Sequence, residues 1–271
     1  MTTTTTRPNA PTFSELLVDA INKPGSIMQA YSAFHPYSIG NQLLALFQCY
    51  VRGLPTGPIN TLPGWKNLGR SVKKGEKALM LCMPITVKRR DSANTDEGEI
   101  ESHECFTTGF VYRSRWFILA QTDGDEIELP SLPVWNATQA LENLDITRIP
   151  FTNLDGNCQG NASKRQIAIN PVAQLPIKTL LHETAHVVLG HSLETALDGD
   201  KRTPKHVREV EAESVALLCC EALGLEGAAF CRGYIQSWAN GEPISEKSAK
   251  RILGAADKIL KAGATKKQPT I

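Results

Sequence analysis

Residues 179–188 read Thr-Leu-Leu-His-Glu-Thr-Ala-His-Val-Val, an H-E-x-x-H segment inside an apolar, helix-forming run. His182 and His186 are four residues apart, so a helix projects both imidazoles from one face, where they can reach a single Zn²⁺. Glu183, beside them, is placed to orient and deprotonate a metal-bound water, which makes the pattern that of a hydrolytic metal site.

The four-letter pattern is short, so its flanks decide how much weight it bears. Leu180 and Leu181 precede it, Thr184 and Ala185 lie inside it, and Val187, Val188 and Leu189 follow. Every position around the histidines is uncharged, as a helix beneath an active site requires. An ordinary pair of surface or core histidines would not bring this flank together with an intervening glutamate and the carboxylates downstream.

A third ligand must come from elsewhere. The extension H-E-x-x-H-x-x-G-x-x-H fails by register, because the glycine is Gly190 and the next histidine is His191. His191 reads as a helix C-terminal residue, where a cation or donor meets free carbonyls. Further on, Glu209-Val-Glu211-Ala-Glu213 opens a second amphipathic helix on which Glu209 and Glu213 share a face. One of these carboxylates can complete a His₂Glu site, and the other can accept the free N–H of a ligating histidine.

His182-Glu183-x-x-His186 followed by Glu209-x-x-Ala212-Glu213 resembles the compact zincin domain of the ImmA/IrrE and ArdC-type families. The resemblance implies a gluzincin-like site in which Glu209 binds the metal and Glu213 supports a ligand histidine. Glu211 then faces away from the ion. Zn²⁺ is the implied cofactor, with another divalent transition metal as the alternative.

Between Arg52 and Arg90 stand Arg52, Lys66, Arg70, Lys73, Lys74, Lys77, Lys88, Arg89 and Arg90 against one acid, Glu76; an acidic run follows from Asp91 to Glu104. A solvated strand pair with a charged hairpin loop would account for such a run. Aromatic residues are interleaved with it, including Tyr37, Phe47, Tyr50 and Trp65, and that mixture suits single-stranded nucleic acid, whose phosphates attract cations and whose bases stack on rings.

A second resemblance bears on this segment. His35-Pro36-Tyr37-Ser38-Ile39-Gly40-Asn41-Gln42, with Gly64-Trp65-Lys66-x-Leu68-Gly69-Arg70-x-Val72-Lys73-Lys74-Gly75-Glu76-Lys77, is similar to the N-terminal domain of ArdC antirestriction proteins. It implies single-stranded DNA as a partner, contacted by Tyr37, Asn41, Trp65, Arg70, Lys73, Lys74 and Lys77, and a setting in mobile genetic elements. Two further readings stand beside it: an ImmA-like protease that cuts one repressor protein without binding DNA, and a DNA-binding factor whose metal is structural.

With 271 residues, 41% of them hydrophobic, the chain suits two domains. Its net charge of +1 names no partner. The start lacks a signal-peptide core and no run is long enough to span a bilayer, so a soluble cytoplasmic protein is expected. Seven cysteines without a C-x-x-C pair suggest buried free thiols in a reducing compartment.

The expected fold class is α+β. A tail covers 1–11, and a domain over 12–130 holds helices at Phe13–Lys23 and Asn41–Val51, then antiparallel strands at Lys77–Arg89 and Phe106–Leu119. Prolines 130, 133 and 150 mark a junction, and 131–262 forms a mostly helical zincin-like domain with a short sheet, followed by a tail over 263–271. In that domain Trp135–Leu144, Ala228–Trp238 and Glu246–Lys261 read as helices. Arg165–Asn170 reads as a short strand that either lies at the edge of the cleft, able to pair with a peptide, or merely completes a sheet. Tyr234 reads as a core residue in preference to an oxyanion donor.

Overall fold

The computed structural model describes residues 10–92, 102–129, 131–153, 155, 157–192, 203–239 and 243–265. Thr12 starts the first helix through a reciprocal cap: its hydroxyl accepts from Glu15 N at 3.1 Å, and the Glu15 carboxylate accepts from Thr12 N at 2.7 Å. Helices α1 (Phe13–Asn22), α2 (Ser26–Phe34) and α3 (Ile39–Val51) follow, each with one apolar face buried.

Contacts divide the described residues into two compact units, one drawn from 59–127 and the other from 11–58 and 128–265. Compactness therefore groups helices α1–α3 with the C-terminal half, whereas the sequence reading grouped them with the sheet that follows. The reason lies in what covers their apolar faces and caps their ends. Glu221 accepts from Gly25 N and Ile27 N at the start of α2, Arg232 Nε donates to Ile21 O, and Glu246 accepts from Ser14 N.

The first unit is built on antiparallel strands. It runs β1 (Ile59–Thr61), α4 (Leu62–Asn67), β2 (Arg70–Val72), β3 (Leu79–Ser92), β4 (Ser102–Ile118), a 3-10 turn at Leu119–Gln121, and β5 (Thr122–Gly124). Strand order is β1-β4-β3 in one sheet and β2-β5 in another. The alternation of Leu79, Leu81, Met83 and Ile85 marks β3 as expected, and it pairs with β4 from Leu79↔Trp116 to Ser92↔Ser102. Ile59, Trp65, Leu79, Leu81, Trp116 and Ile118 form its buried core. The tip of the charged hairpin, 93–101, lies outside the described residues.

The second unit continues after α3 with β6 (Val134–Trp135), α5 (Ala137–Asn143), β7 (Thr147–Arg148), β8 (Gly160–Ser163), β9 (Gln166–Ile169), α6 (Pro176–Val188), α7 (Lys205–Ala222), α8 (Ala228–Ala239), α9 (Glu246–Gly263) and β10 (Ala264–Thr265). Helix α7 is buried along nearly its whole length, with α6, α8 and α9 packed around it. The short sheet has the order β7-β9-β8, parallel on one side and antiparallel on the other. Its strand β9 is therefore central, with β7 and β8 at the edges, so Arg165–Asn170 completes the sheet and is not the edge strand of the other reading. Ile167 and Ile169 explain this placement: both are buried, as a central strand requires, and pack with Leu141, Ile146, Leu180 and Val187.

The mixture of helices with small, mainly antiparallel sheets is the expected α+β class. Helix α2 was not foreseen, since it opens on Gly25 without a side-chain cap. Among the described residues no helix is long and apolar enough to cross a membrane. Cys49, Cys219, Cys220 and Cys231 are buried free thiols, and Cys82 and Cys158 are half-buried.

Candidate metal centre and nucleic-acid surface

Helix α6 begins at Pro176, whose missing N–H costs nothing in a first turn, and buries Leu180, Leu181, Ala185 and Val187. That burial turns His182 and His186 the same way, toward α7. His182 Nε2 and His186 Nε2 lie 3.1 Å apart. Glu209 Oε2, from the first turns of α7, is 3.5 Å from His182 Nε2 and 3.6 Å from His186 Nε2. One ligand atom from each of His182, His186 and Glu209 lies within 4.8 Å of the other two, the spacing of donors around one ion.

The electrostatics fit a cation. Burial alone pulls the His182 imidazole down, but Glu209, Glu213 and Glu183 around it more than offset that, so it is raised to about 9. Burial pushes the Glu209 carboxyl up, and the two histidines outweigh this and hold it well below the usual carboxylate range. The pocket thus keeps a carboxylate ready for a positive partner, and a proton on His182 takes that place in the absence of an ion. The donor set of two imidazoles and one carboxylate suits Zn²⁺ and other divalent transition ions.

Glu213 sits one turn beyond Glu209 and is fully buried. Its Oε2 lies 2.7 Å from His182 Nδ1, while Lys178 Nζ reaches Oε1 at 2.7 Å and Oε2 at 2.9 Å. Burial opposes its ionisation, and His182 and Lys178 reverse that, so Glu213 stays charged. A carboxylate on Nδ1 leaves the His182 Nε2 lone pair free to face the ligand position. Lys178 extends the chain outward, lying 5.0 Å from the Phe230 ring centre and 5.8 Å from that of Tyr234. Tyr234 is half-buried and stacked on Phe230.

Glu183 is buried on α6 beside the ligands, and burial raises its carboxyl above the ordinary value against the pull of His182 and His186. A β-carbon added at Gly160 would lie 3.0 Å from Glu183 Cγ and 2.8 Å from Thr179 Cγ2, so edge strand β8 passes close against the Glu183 side chain. The bare glycine there permits that approach.

His191 lies just past the end of α6, as expected of a helix C-terminal residue; its side chain is 3% exposed and burial holds its imidazole below the ordinary value, although Glu211 pulls the other way. Glu211 does point away from the ligand atoms, but into the interior, where it is 2.8 Å from His191 Nε2 and 3.1 Å from Arg251 Nη1. Sequence reasoning missed Lys178, Glu211 and Arg251 because an ion pair between helices leaves no periodic signal.

The candidate nucleic-acid residues fare unevenly. Trp65 is 1% exposed and its Nε1 donates to Phe117 O, so its ring is core and offers no face to a base. Arg70 is likewise committed, donating to Thr122 Oγ1, Thr122 O, Gly124 O and Asp125 O, which locks β2 to β5. Lys73 is exposed and donates to Ala120 O, with Asp123 at 3.5 Å. Lys74 and Lys77 are exposed. In the other unit, Tyr37 and Asn41 are half-buried at the start of α3, where the Tyr37 carbonyl accepts from Gln42 Nε2. Sequence reading passed over Arg113 and Arg115, two exposed cations of β4, and Phe110, which is 67% exposed.

Residues 18–112 match the model of a family described as the N-terminal domain of anti-restriction factor ArdC. The chain carries an ArdC-type N-terminal domain. Its match runs from α1 to β4 and so includes helices of the second compact unit as well as strands of the first. Two solved structures are similar along most of the chain, both of the antirestriction ArdC protein from the R388 plasmid. The metal-free form is 18% identical over 93% of this chain and 94% of that one with a TM-score of 0.47; the Mn(II)-bound form is 17% identical over 93% and 98% with a TM-score of 0.49. No curated protein matches the sequence.

Proposed function

We propose that this chain is an antirestriction protein of the ArdC type that binds single-stranded DNA and carries a zinc-dependent, metallopeptidase-like site. The convergence of His182, His186 and Glu209 within 4.8 Å of one another carries the metal half of this reading. Zn²⁺ bound there would supply a Lewis acid for a water molecule and a carbonyl oxygen.

The protein's own groups account for the rest. Glu213, held by Lys178, orients His182 so that its Nε2 faces the ion. Glu183 is the base: its raised carboxyl takes a proton from the attacking water and can return it to the leaving amine. An extended peptide added beside β8 would lie along the open edge of the sheet next to Glu183, which supports a peptide as substrate.

The family match supports the DNA half, and Lys73, Lys74, Lys77, Arg113 and Arg115 are exposed cations of the first unit suited to phosphates. Two experiments test the two halves. Glu183→Gln should abolish hydrolysis of a fluorogenic peptide library by the zinc-loaded protein while metal content is unchanged; full activity would refute its role as base. Gel-shift titrations with single- and double-stranded oligonucleotides, with and without chelator, should show salt-sensitive binding that favours single strands. No affinity for either would leave the reading of a protease acting on a protein such as a repressor.

A further inference from the structure

Helix α6 ends in a turn that carries the chain back over its own last ligand. Gly190 takes φ 77°, a left-handed value that suits glycine, while Gly190 N donates to Val187 O at 3.1 Å and His191 N donates to His186 O at 2.8 Å. This pair of bonds closes the helix and lays residue 191 against residue 186. The two rings meet at an angle of 64° with centres 5.2 Å apart, and His186 Nδ1 is 3.1 Å from His191 Nδ1.

On its other side, His191 Nε2 lies 2.8 Å from Glu211 Oε2. Arg251, from α9, grips the same carboxylate at 3.1 and 3.2 Å and donates to Leu189 O at 2.8 Å. Arg208 Nη1 reaches the His191 carbonyl at 3.3 Å. Glu211 has no exposed surface, so no water competes for its oxygens.

His191 Nε2 has two neighbours, Glu211 Oε2 at 2.8 Å and Arg251 Nη2 at 3.5 Å, and the much shorter contact sets its role. A carboxylate paired with a guanidinium only accepts, so His191 donates from Nε2. A neutral His191 then has a bare Nδ1, which accepts from Nδ1–H of His186. The proton of His186 is thereby kept on Nδ1, and its Nε2 lone pair is left facing His182 and Glu209.

We propose that His191 is a positioning residue, fixing the tautomer and ring angle of His186, and that Glu211 and Arg251 set the polarity of the chain. The metal site then has two independent supports, Glu213 behind His182 and the His191–Glu211–Arg251 chain behind His186. The inference rests on the metal-binding reading above and assigns a role that the H-E-x-x-H segment and its acidic partners do not contain.

The test uses the full chain with Zn²⁺ and Mn²⁺ as probes. Dissociation constants come from competition with a chelating dye, and the ring tautomer of His186 in the metal-free protein from long-range ¹H–¹⁵N spectra. His191→Leu, which removes the acceptor, should weaken ion binding by about 10- to 100-fold. His191→Asn, whose side-chain oxygen can take the place of Nδ1, should recover most of that loss, which a purely space-filling role would not predict. The wild-type spectra should show His186 protonated on Nδ1.

Equal affinity in His191→Leu, or a His186 proton on Nε2, would overturn the inference. If His191→Leu fails to fold, His191→Asn and the wild-type tautomer still decide it. Wild-type protein that takes up neither ion would instead sink the metal-binding reading, while the tautomer measurement continues to bear on the chain alone.

Discussion

Removing Glu213 separates two things that its carboxylate does at once. Glu213 is fully buried between Lys178, which is 11% exposed, and His182, with both cationic partners at 2.7 Å. Glu213→Leu preserves approximate volume but strands the Lys178 ammonium in the interior, and breaking a buried pair from one side costs about 3–5 kcal/mol. For a unit of this size that lowers the melting temperature of the metal-free protein by about 6–20 °C. The same substitution leaves His182 Nδ1 without its acceptor, so Zn²⁺ affinity should fall by about 10- to 100-fold. Lys178→Met added to Glu213→Leu removes the stranded charge, and replacing both members of a buried pair by apolar groups is often close to neutral. Thermal unfolding by circular dichroism and Zn²⁺ competition titration should therefore part company in the double variant, with stability restored and affinity still low. A double variant as unstable as Glu213→Leu would refute the ion-pair argument, and wild-type affinity in either variant would refute the support of His182.

Four further outcomes follow from the structure. The His182 imidazole is raised to about 9, so ion binding below that pH displaces a proton, and calorimetry in buffers of different ionisation heat should find affinity rising up to about tenfold per pH unit until about 9. The stability that this raised value gives the metal-free protein is full below about 6.5 and is lost as pH climbs through about 9, so its melting temperature should fall across that window. Trp65→Ala should cost about 3–5 kcal/mol, read by denaturant unfolding, because the ring is core. Replacing Lys73, Lys74 and Lys77 together by Gln should leave stability within about 0.5 kcal/mol and flatten the slope of log K against log salt for single strands by about 2; an unchanged slope would remove these lysines from the DNA surface.

Much of the metal centre was legible because its signals are local. His182 and His186 share a helix face by spacing alone, and so do Glu209 and Glu213. Resemblance singled out Glu209 for the ligand position, and the structure brings it to the two imidazoles with Glu213 behind. Period-two alternation gave β3. What stayed hidden depends on which helix packs against which. Nothing near Lys178 says that it meets a glutamate 35 residues later, and nothing near Arg251 points to Glu211. Trp65 misled for a related reason. An aromatic ring among lysines looks like a stacking platform in one dimension, and only the pairing of β1 with β4 brings the Phe117 carbonyl to its indole N–H.

Helix α7 shows how burial converts a run of acids into a site. Glu209, Glu211 and Glu213 stand on a helix almost wholly enclosed, where an unpaired carboxylate is too costly to keep. At 100° per residue, Glu209 and Glu213 lie only about 40° apart, while Glu211 falls on the opposite side. The first pair must find cations on α6, and it finds His182, His186 and Lys178; the third must find them elsewhere, and it finds Arg251 with His191. Glu209 and Glu213 are thus matched from α6 and Glu211 from His191 and α9, and among the described residues Glu209 is the one of the three whose ion-pair partners are imidazoles alone. Imidazoles are common ligands of divalent metals and ammonium or guanidinium groups are not, which is why Glu209, in preference to Glu211 or Glu213, is the carboxylate that fits the proposed metal site.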